Sequence, residues 1–410
     1  MENINLLSLF SGIGAFEKAL DRKRIGYNLV NYCEFDKYAS KSYSLIHKVP
    51  ETLNLGDITK VKIDELEPYS ADLITYGFPC QDISNAGKQR GFEHDGQLTR
   101  SGLFFYAASI IGRIQPKVAI CENVKALVGK KFTKEFETVL STLEDIGYTN
   151  YWQVLNAKDY GIPQNRERVF IVSIRNDIDK KYEFPAPIKL ELRLKDILEK
   201  EVDEKYYLSN KMLEYFERHN ERHREKGTGF VHKTTDVNGV AKCLRANAAL
   251  CATDNTIDMV GMLDIKGNEQ VRRVYGVDGI SPTLNTMQGG NRQPKVLVRE
   301  ATKKGYAEAV DGDSINLEQP NSKTRRGRVG HGVAQTLNTA PQQAVVEQSL
   351  RIRKLTPKER FRLMGFDDVD IDVLIDNGIS NTQLYKQAGN SIVVNVLEAI
   401  FDNLVDVFDA

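Results

Sequence analysis

A cysteine at position 80 follows Gly77-Phe78-Pro79 and precedes Gln81-Asp82-Ile83-Ser84. The residues ahead of it, Asp72-Leu73-Ile74-Thr75-Tyr76, read as a buried strand. The thiol therefore falls just past the carboxyl end of a strand, where open α/β sheets place their ligands. Gly77 permits a sharp exit from the strand, and Pro79 stiffens the chain before the thiol. A thiol fixed in a rigid turn has the setting of a nucleophile. Cysteine is also among the residue types most often buried, so this segment alone leaves nucleophile and core residue evenly matched.

Other groups suggest chemistry in the same way. Glu122-Asn123-Val124 follows the apolar run Lys117–Cys121 and reads as a polar triplet at a strand end. A partly desolvated Glu122 has a raised pKa and can donate a proton to a ring nitrogen; the alternative is a solvated strand-end acid. Arg166 and Arg168, in Gln164-Asn165-Arg166-Glu167-Arg168, alternate by two and point the same way in extended chain. A fork-shaped cation there can bind a carbonyl oxygen or a phosphate, or simply form a salt-bridged strand start. The turn Phe10-Ser11-Gly12-Ile13-Gly14-Ala15-Phe16 opens a helix whose free N–H groups suit a ligand, although the third glycine of a dinucleotide fingerprint is missing. Glu34 ends the next strand candidate about 20 residues on, where an acid commonly takes ribose hydroxyls. Asp57, in Gly56-Asp57-Ile58-Thr59, could accept from an adenine amino group or could cap the segment after it. Two strand-end acids favour a nucleoside ligand with no pyrophosphate to cradle.

These groups need a scaffold. Ile4–Phe10, Tyr27–Cys33, Leu73–Tyr76, Val118–Cys121 and Val169–Ile174 read as strands; Phe16–Lys23 and Phe132–Ile146 read as helices. Such alternation predicts an α/β fold with a mostly parallel sheet covered on both faces. Near Pro185-Ala186-Pro187 the chain turns polar and rich in Gly, Asn, Thr and Gln, and from Ser349 it recovers helical character, ending in an amphipathic helix over Ile392–Val407. The organisation expected is a catalytic domain over 1–184, an inserted domain over 185–348, and a segment over 349–410 that returns to complete the first. Within the insert, Gly239-Val240-Ala241-Lys242-Cys243-Leu244, Gly279-Ile280-Ser281-Pro282-Thr283-Leu284 and Gly332-Val333-Ala334-Gln335-Thr336-Leu337 form a loose, unevenly spaced repeat.

Composition sets outer bounds. The 410 residues carry 56 basic and 56 acidic side chains, so any polyanion surface is local rather than global. Five cysteines with no CxxC pair suggest reduced thiols and no zinc site. His219 and His223, four apart on a helix, read as surface residues and not as metal ligands. The first residues lack the look of a signal peptide, and no apolar run is long enough to span a bilayer. A cytoplasmic location is expected.

Taken in order, SGIGAF, CEFD, GDIT, GFPCQDIS, GLFF, CENV, QNRERVF, RKLTPKE and QAGNSIVVNV resemble the DNA (cytosine-5)-methyltransferase family, over nearly all of 4–175 and 350–401. The resemblance implies a Rossmann-like S-adenosylmethionine-dependent methyltransferase sheet with a small inserted target-recognition domain. It implies that Cys80 attacks C6 of a cytosine flipped out of double-stranded DNA, that Glu122 contacts N3 and the exocyclic amine, and that Arg168 contacts O2. Arg166 would help hold the Cys80 region, and some thiolate near neutral pH, favoured by the cations, would serve attack. The cofactor implied is S-adenosyl-L-methionine, with Phe10 stacked on adenine beside Ser11, Gly12 and Gly14. Glu34 would hold the ribose, Asp57 and Ile58 would read the adenine edge, Pro79 and Leu103 would line the pocket, and Asn390 and Ser391 would close it. Gln81, Ser84, Lys88 and Arg90 would lie on a loop that faces DNA and closes over the site. In the family a Thr-Leu pair supports the inserted base; here Thr283-Leu284 and Thr336-Leu337 both qualify. Arg353 resembles the Arg that orders the recognition domain at its return to the core. Basic clusters at Arg222–Arg224, Lys323–Arg328 and Arg351–Lys354 suit phosphate contacts.

This chain departs from the family at Ser8 (often Asp), Ala15 (often Gly) and Arg360 (often Cys). Two other functions stay open at this level. One is methylation of RNA cytosine, as in the tRNA-acting branch, against which the long insert and the lack of a Cys-Phe-Thr segment argue. The other is a non-catalytic DNA-binding regulator, against which intact Cys80, Glu122 and Arg168 argue. One active site per chain makes a monomer sufficient, and a cognate restriction endonuclease, where there is one, acts as a separate protein.

Overall fold

The structure, a computed structural model, describes residues 3–80, 82–83, 90–227, 231–246, 250–259, 296–299, 301, 306–309, 314–316, 327–330, 343–345 and 351–408. Six strands form the central sheet: β1 (Ile4–Leu9), β2 (Tyr27–Cys33), β3 (Leu73–Tyr76), β4 (Val118–Val124), β5 (Tyr148–Asn156) and β6 (Glu167–Arg175). Their order is β2-β1-β3-β4-β6-β5. The four strands from β2 to β4 pair in parallel. Strand β6 runs against both its neighbours.

Period-two burial decides the layering. Leu7, Leu9, Ile74, Tyr76, Ala119, Cys121, Val169 and Ile171 share one apolar cluster. Helix α3 (Phe104–Ile114) adds Ala107, Ile110 and Ile111 to it, and helix α4 (Thr133–Asp145) adds Val139 and Leu143. Each fully buried Leu or Ile stabilises the fold by about 1.5–3 kcal/mol. Helix α1 (Ala15–Lys23) meets the C-terminal helix α9 (Val394–Asp402) through the edge-on rings of Phe16 and Phe401, 6.4 Å apart, and through Arg22–Glu398 at 2.8 Å. Helix α2 (Lys37–His47) starts on the Asp36 carboxylate, which accepts from the N–H groups of Tyr38 and Ala39. Further on lie α5 (Asn210–Lys226), α6 (Pro357–Leu363), α7 (Asp368–Asp376) and α8 (Asn381–Asn390). The C-terminal segment thus returns to the first strand's helix, tied also by Lys18 to Asp367 and Asp370 at 2.8 Å.

The chain divides into two compact units, Met1–Ile257 with Lys354–Ala410, and Asp258–Arg353. The change of composition at 185 thus precedes the unit boundary, and residues 185–257 belong with the sheet. Arg362 donates to the Ile197 carbonyl (2.8 Å), and the Glu199 N–H donates to Glu359 (2.9 Å). Within the second unit, Val296–Arg299 pairs antiparallel with Tyr306–Ala309, and Ser314–Asn316 with Val329–Gly330 and Gln343–Val345. Among the described residues no helix is long and apolar enough to cross a membrane.

Three expectations need correction, and one strand went unread. Strand β4 runs on through Glu122, Asn123 and Val124, because antiparallel pairing with β6 continues to Val124–Arg168; the triplet is in the strand, not after it. Edge strand β5 is legible only in the structure, since its burial is irregular and Trp152 stays half exposed. The last helix stops at Asp402, and Val405–Phe408 is a separate turn. Gly77 has no left-handed backbone; a Cβ there would lie 3.6 Å from the Glu122 carboxylate, an ordinary contact.

Candidate active site

The turn after β1 is shaped by main chain. Phe10, Gly12 and Gly14 have φ of 53°, 58° and 78°. That conformation suits glycine and strains Phe10. A Cβ on Gly12 would meet nothing within 4 Å, whereas one on Gly14 would fall 2.1 Å from the His47 Nε2. The turn is thus open at Gly12 and filled by His47 behind Gly14. Glu34, half-buried at the end of β2, accepts from the N–H of Gly12 (2.9 Å) and of Asp36 (2.7 Å). Burial pushes its carboxyl up, and these two donors only partly offset that, so it stays raised. Asn54, which sequence reading passed over, fixes this end of β2. Its Oδ1 accepts from the N–H of Glu34 and of Gly56, and its Nδ2 donates to the Glu34 carbonyl.

Asp57 follows on that loop. Its Oδ1 accepts from the Thr59 N–H (3.0 Å) and Oγ1 (2.8 Å), so the capping alternative is realised. Those bonds hold the carboxyl below its usual range. Ile58 is buried and Phe10 half-buried. Phe35, next to Glu34, is 80% exposed, an aromatic ring standing free at the mouth of the turn. Its signal in the sequence was the ring directly after Glu34.

Across the sheet the design relies on side chains. Asn123 donates to the Phe78 carbonyl (3.1 Å), and the Ser101 hydroxyl donates to the Pro79 carbonyl (2.8 Å). Those bonds hold the half-buried turn Phe78-Pro79-Cys80 against β4 and against the start of α3, where Leu103 packs on the core. Beyond the thiol, Gly91 donates to the Asp82 carbonyl (3.1 Å), and Phe92 stacks on Phe104 (5.8 Å). Gly91 and Phe92 therefore anchor the base of the loop. Arg90 is exposed; Gln81, Ser84 and Lys88 lie outside the described residues.

Glu122 Oε1 sits 2.9 Å from Arg168 Nε. Burial raises the Glu122 carboxyl more than Arg168 and Arg166 lower it. The Cys80 thiol is pushed up as well, first by burial and then by the negative charge of Glu122; Arg168 and Arg166 counter this in part. The resting sulfur is therefore mainly a protonated thiol at neutral pH, with the favouring effect of the cations outweighed by burial and Glu122. Cys33 and Cys121 are inert by comparison, the first pushed up to about 12 and the second well above the usual thiol range, both chiefly by burial.

Arg166 is buried, and among the described residues its hydrogen bonds do not go to the Cys80 turn. It donates to the carbonyls of Leu244 (3.1 Å), Gly389 (3.1 Å) and Ser391 (2.7 Å). Ser391 is thereby fixed at the end of α8, beside the exposed Asn390. Leu244 belongs to the first of the three repeated segments. Its N–H donates to Gln164 Oε1 (3.0 Å), and Ala241–Lys242 pairs in parallel with Gln164–Asn165. The neighbouring Cys243 lies within reach of both arginines. The loose repeat carried that signal, but its Thr-Leu copies drew the attention; Thr283 and Thr336 lie outside the described residues.

Two of the three departures from the family pattern, Ser8 and Arg360, have local accounts. Ser8 is buried and accepts from Thr75 (3.3 Å), where an Asp would bury a charge. Arg360 lies 4.5 Å over the Tyr385 ring and donates to the Arg245 carbonyl (3.3 Å). Arg353 is fully buried in the strand Arg351–Lys354.

Comparison with known proteins gives a consistent picture. The family model described as C-5 cytosine-specific DNA methylase matches residues 4–406. The orphan methyltransferase M.SPBetaI of Bacillus phage SPbeta is 36% identical, with 100% of this chain and 99% of that protein covered. The type II methyltransferase M.SsoII of Shigella sonnei is 30% identical, with 99% and 81% covered. Among solved structures, the S. pombe Dnmt2 methyltransferase superposes with a TM-score of 0.62 at 18% identity, covering 98% of this chain and 99% of that one. The fold is that of a Rossmann-like methyltransferase.

Proposed function

Since the chain belongs to the C-5 cytosine-specific DNA methylase family, and is a DNA (cytosine-5)-methyltransferase, we propose that it methylates a flipped-out cytosine in a specific duplex sequence through a covalent bond from Cys80 to C6. The observation that carries this reading is the meeting of Cys80, Glu122 and Arg168 at adjacent strand ends.

Cytosine C5 is a poor nucleophile until a thiolate adds at C6. The Cys80 thiol gives up its proton to solvent water as its sulfur adds to C6. Glu122, a carboxylate paired with Arg168 and with its own pKa raised, takes up a proton and delivers it to N3 while contacting the exocyclic amine. Arg168, oriented by Glu122, meets O2, and together they steady the negative charge that attack pushes into the ring. C5 then takes the methyl group, and loss of the C5 proton expels the Cys80 thiolate. The base must leave the stack, because C5 and C6 cannot be reached inside a duplex.

S-adenosyl-L-methionine fits the main-chain turn, and when bound it supplies the methyl group. The open space at Gly12 admits a ligand against the backbone. Glu34 takes the ribose hydroxyls, Phe10 and Phe35 offer ring faces to adenine, and Asp57 with Ile58 borders its edge. Ser11 and Gly14 shape the turn; Pro79, Leu103, Asn390 and Ser391 close around the bound group. Recognition belongs to the part of the insert that forms its own unit, Asp258–Arg353, with Gln81, Ser84, Lys88, Arg90, Thr283, Thr336 and Arg353 as DNA-facing or domain-ordering candidates. A monomer suffices, working in the cytoplasm, and any cognate restriction endonuclease acts separately.

The test is methyl transfer from labelled S-adenosylmethionine to unmethylated duplex DNA, beside tRNA and a Cys80→Ser control, with bisulfite sequencing of the product. Transfer to duplex cytosines that the control loses supports the reading. Transfer to tRNA alone, or none to either nucleic acid, overturns it.

A further inference from the structure

Two cations share the interior of the site, and one carboxylate faces them. Arg166 is buried, and that burial first, then the like charge of Arg168 beside it, lowers its pKa. Glu122 balances Arg168 through Nε. The Cys80 thiol is protonated in the resting site and balances neither. Among the described residues, the remaining group that carries negative charge against both arginines is Cys243. Its sulfur lies 3.5 Å from Arg166 Nη1 and 4.0 Å from Arg168 Nη2.

We propose that Cys243 is a positioning residue of the methyl-transfer site: its sulfur accepts from Arg166 and Arg168 together and holds the Arg168 guanidinium beside Glu122 in the orientation that meets the cytosine. The inference rests on the reading of Arg168 given above. Geometry supports it beyond the two contacts. The segment bearing Cys243 is fixed on three sides, by strand pairing of Ala241–Lys242, by Gln164 on the Leu244 N–H, and by Arg166 on the Leu244 carbonyl. The sulfur is thus delivered to the arginines by a held backbone. The cations outweigh burial and bring the Cys243 thiol below its usual range, the reverse of Cys80. The other charged groups of the segment are committed elsewhere. Lys242 donates to the Lys233 carbonyl (2.8 Å), and Arg245 forms a two-pronged pair with Asp254. The Leu244 carbonyl, 3.6 Å from the sulfur, is what a thiol at Cys243 donates to instead.

The arrangement also explains why a cysteine serves here. A hydroxyl in its place keeps its proton at all working pH values and offers the arginines no charge. A carboxylate keeps the charge.

Two measurements on the full-length protein test this. The first is the pH profile of methyl transfer for wild type, Cys243→Ser and Cys243→Asp. Cys243→Ser should lower kcat by about ten- to hundredfold through misplacement of Arg168, with the KM for S-adenosylmethionine unchanged. Cys243→Asp should restore most of the rate and flatten the acid limb. A Cys243→Ser profile identical to wild type, in an assay that Cys80→Ser abolishes, overturns the proposal while leaving the methyltransferase reading intact. The second needs no activity: iodoacetamide labelling followed by mass spectrometry at each cysteine, as a function of pH. Cys243 should label with a lower pH midpoint than Cys80, and Arg168→Ala should shift the Cys243 midpoint upward. A Cys243 midpoint at or above that of Cys80, or one unmoved by Arg168→Ala, overturns the proposal. This second readout decides the matter even where wild type methylates no DNA or Cys243→Ser fails to fold.

Discussion

The two ends of the sheet that frame the site are made of different material. After β1 and β2, the shape comes from main chain: left-handed residues at Phe10, Gly12 and Gly14, and a carboxylate whose hydrogen bonds come from N–H groups of Gly12 and Asp36. After β3, in the last residues of β4 and around the start of β6, it comes from side chains: Cys80, Glu122, Arg168 and Arg166, with Asn123 and Ser101 holding the loop. A main-chain surface suits a ligand present in every cycle and recognised by shape. A side-chain surface can shift charge as a reaction proceeds. Removing a charge should therefore be far more damaging on the second side, and adding a methyl group more damaging on the first.

The strongest test of that contrast is Glu122→Gln. Loss of the proton-donating carboxyl should lower single-turnover methyl transfer by about 10²- to 10³-fold, with cofactor affinity by calorimetry unchanged; a matching loss of cofactor affinity would erase the division between the two sides. Next is the acidity of Cys80. Because its thiol is raised, the thiolate fraction stays small at neutral pH, and alkylation should rise about tenfold per pH unit through the neutral range. A rate that levels off below neutrality would show the cations prevailing over burial. Gly14→Ala comes third. Its Cβ would lie 2.1 Å from His47 Nε2 at a φ of 78°, so stability should fall by about 2 kcal/mol or more in denaturant unfolding, while the Cys80 alkylation profile of the folded protein stays as in wild type. Smallest is Glu34→Gln. The amide can still accept from Gly12, so cofactor affinity should weaken by about 1–1.5 kcal/mol and kcat hold; an effect as large as that of Glu122→Gln would place Glu34 among the charge-shifting groups.

The sequence was most readable where a local pattern carries the information. Apolar runs marked β2 and β3 with their bounds and β1 to within one residue, and each leads into a segment of the candidate site. Reading was weaker where a partner sets the pattern. Glu122 looked terminal because β4 turns polar there, yet the antiparallel neighbour extends it. The irregular burial of β5 hides an edge strand. Residues 185–257 looked foreign by composition, but hydrogen bonds to Gln164, Arg166 and Glu359 tie them to the sheet unit. Arg166 showed the same limit: spacing suggested that it shares a direction with Arg168, while three carbonyls from distant segments decide what it holds. Nor could the raised Cys80 thiol and lowered Cys243 thiol be told apart from residue type, since burial and arginine proximity are properties of the assembled site.

The grip of Arg166 on Ser391 joins residues 225 apart in the chain. On a ribosome, at roughly 5–20 residues per second, about 10–50 s separate the synthesis of the two. Through that interval the guanidinium has no carbonyl of Gly389 or Ser391 to meet and must stay hydrated. The nascent strand β6 therefore cannot seal its end of the site early. Catalytic competence arrives late in translation, and a chain halted before Gly389 carries its nucleophile and its glycine turn but leaves a buried cation without two of its carbonyl partners.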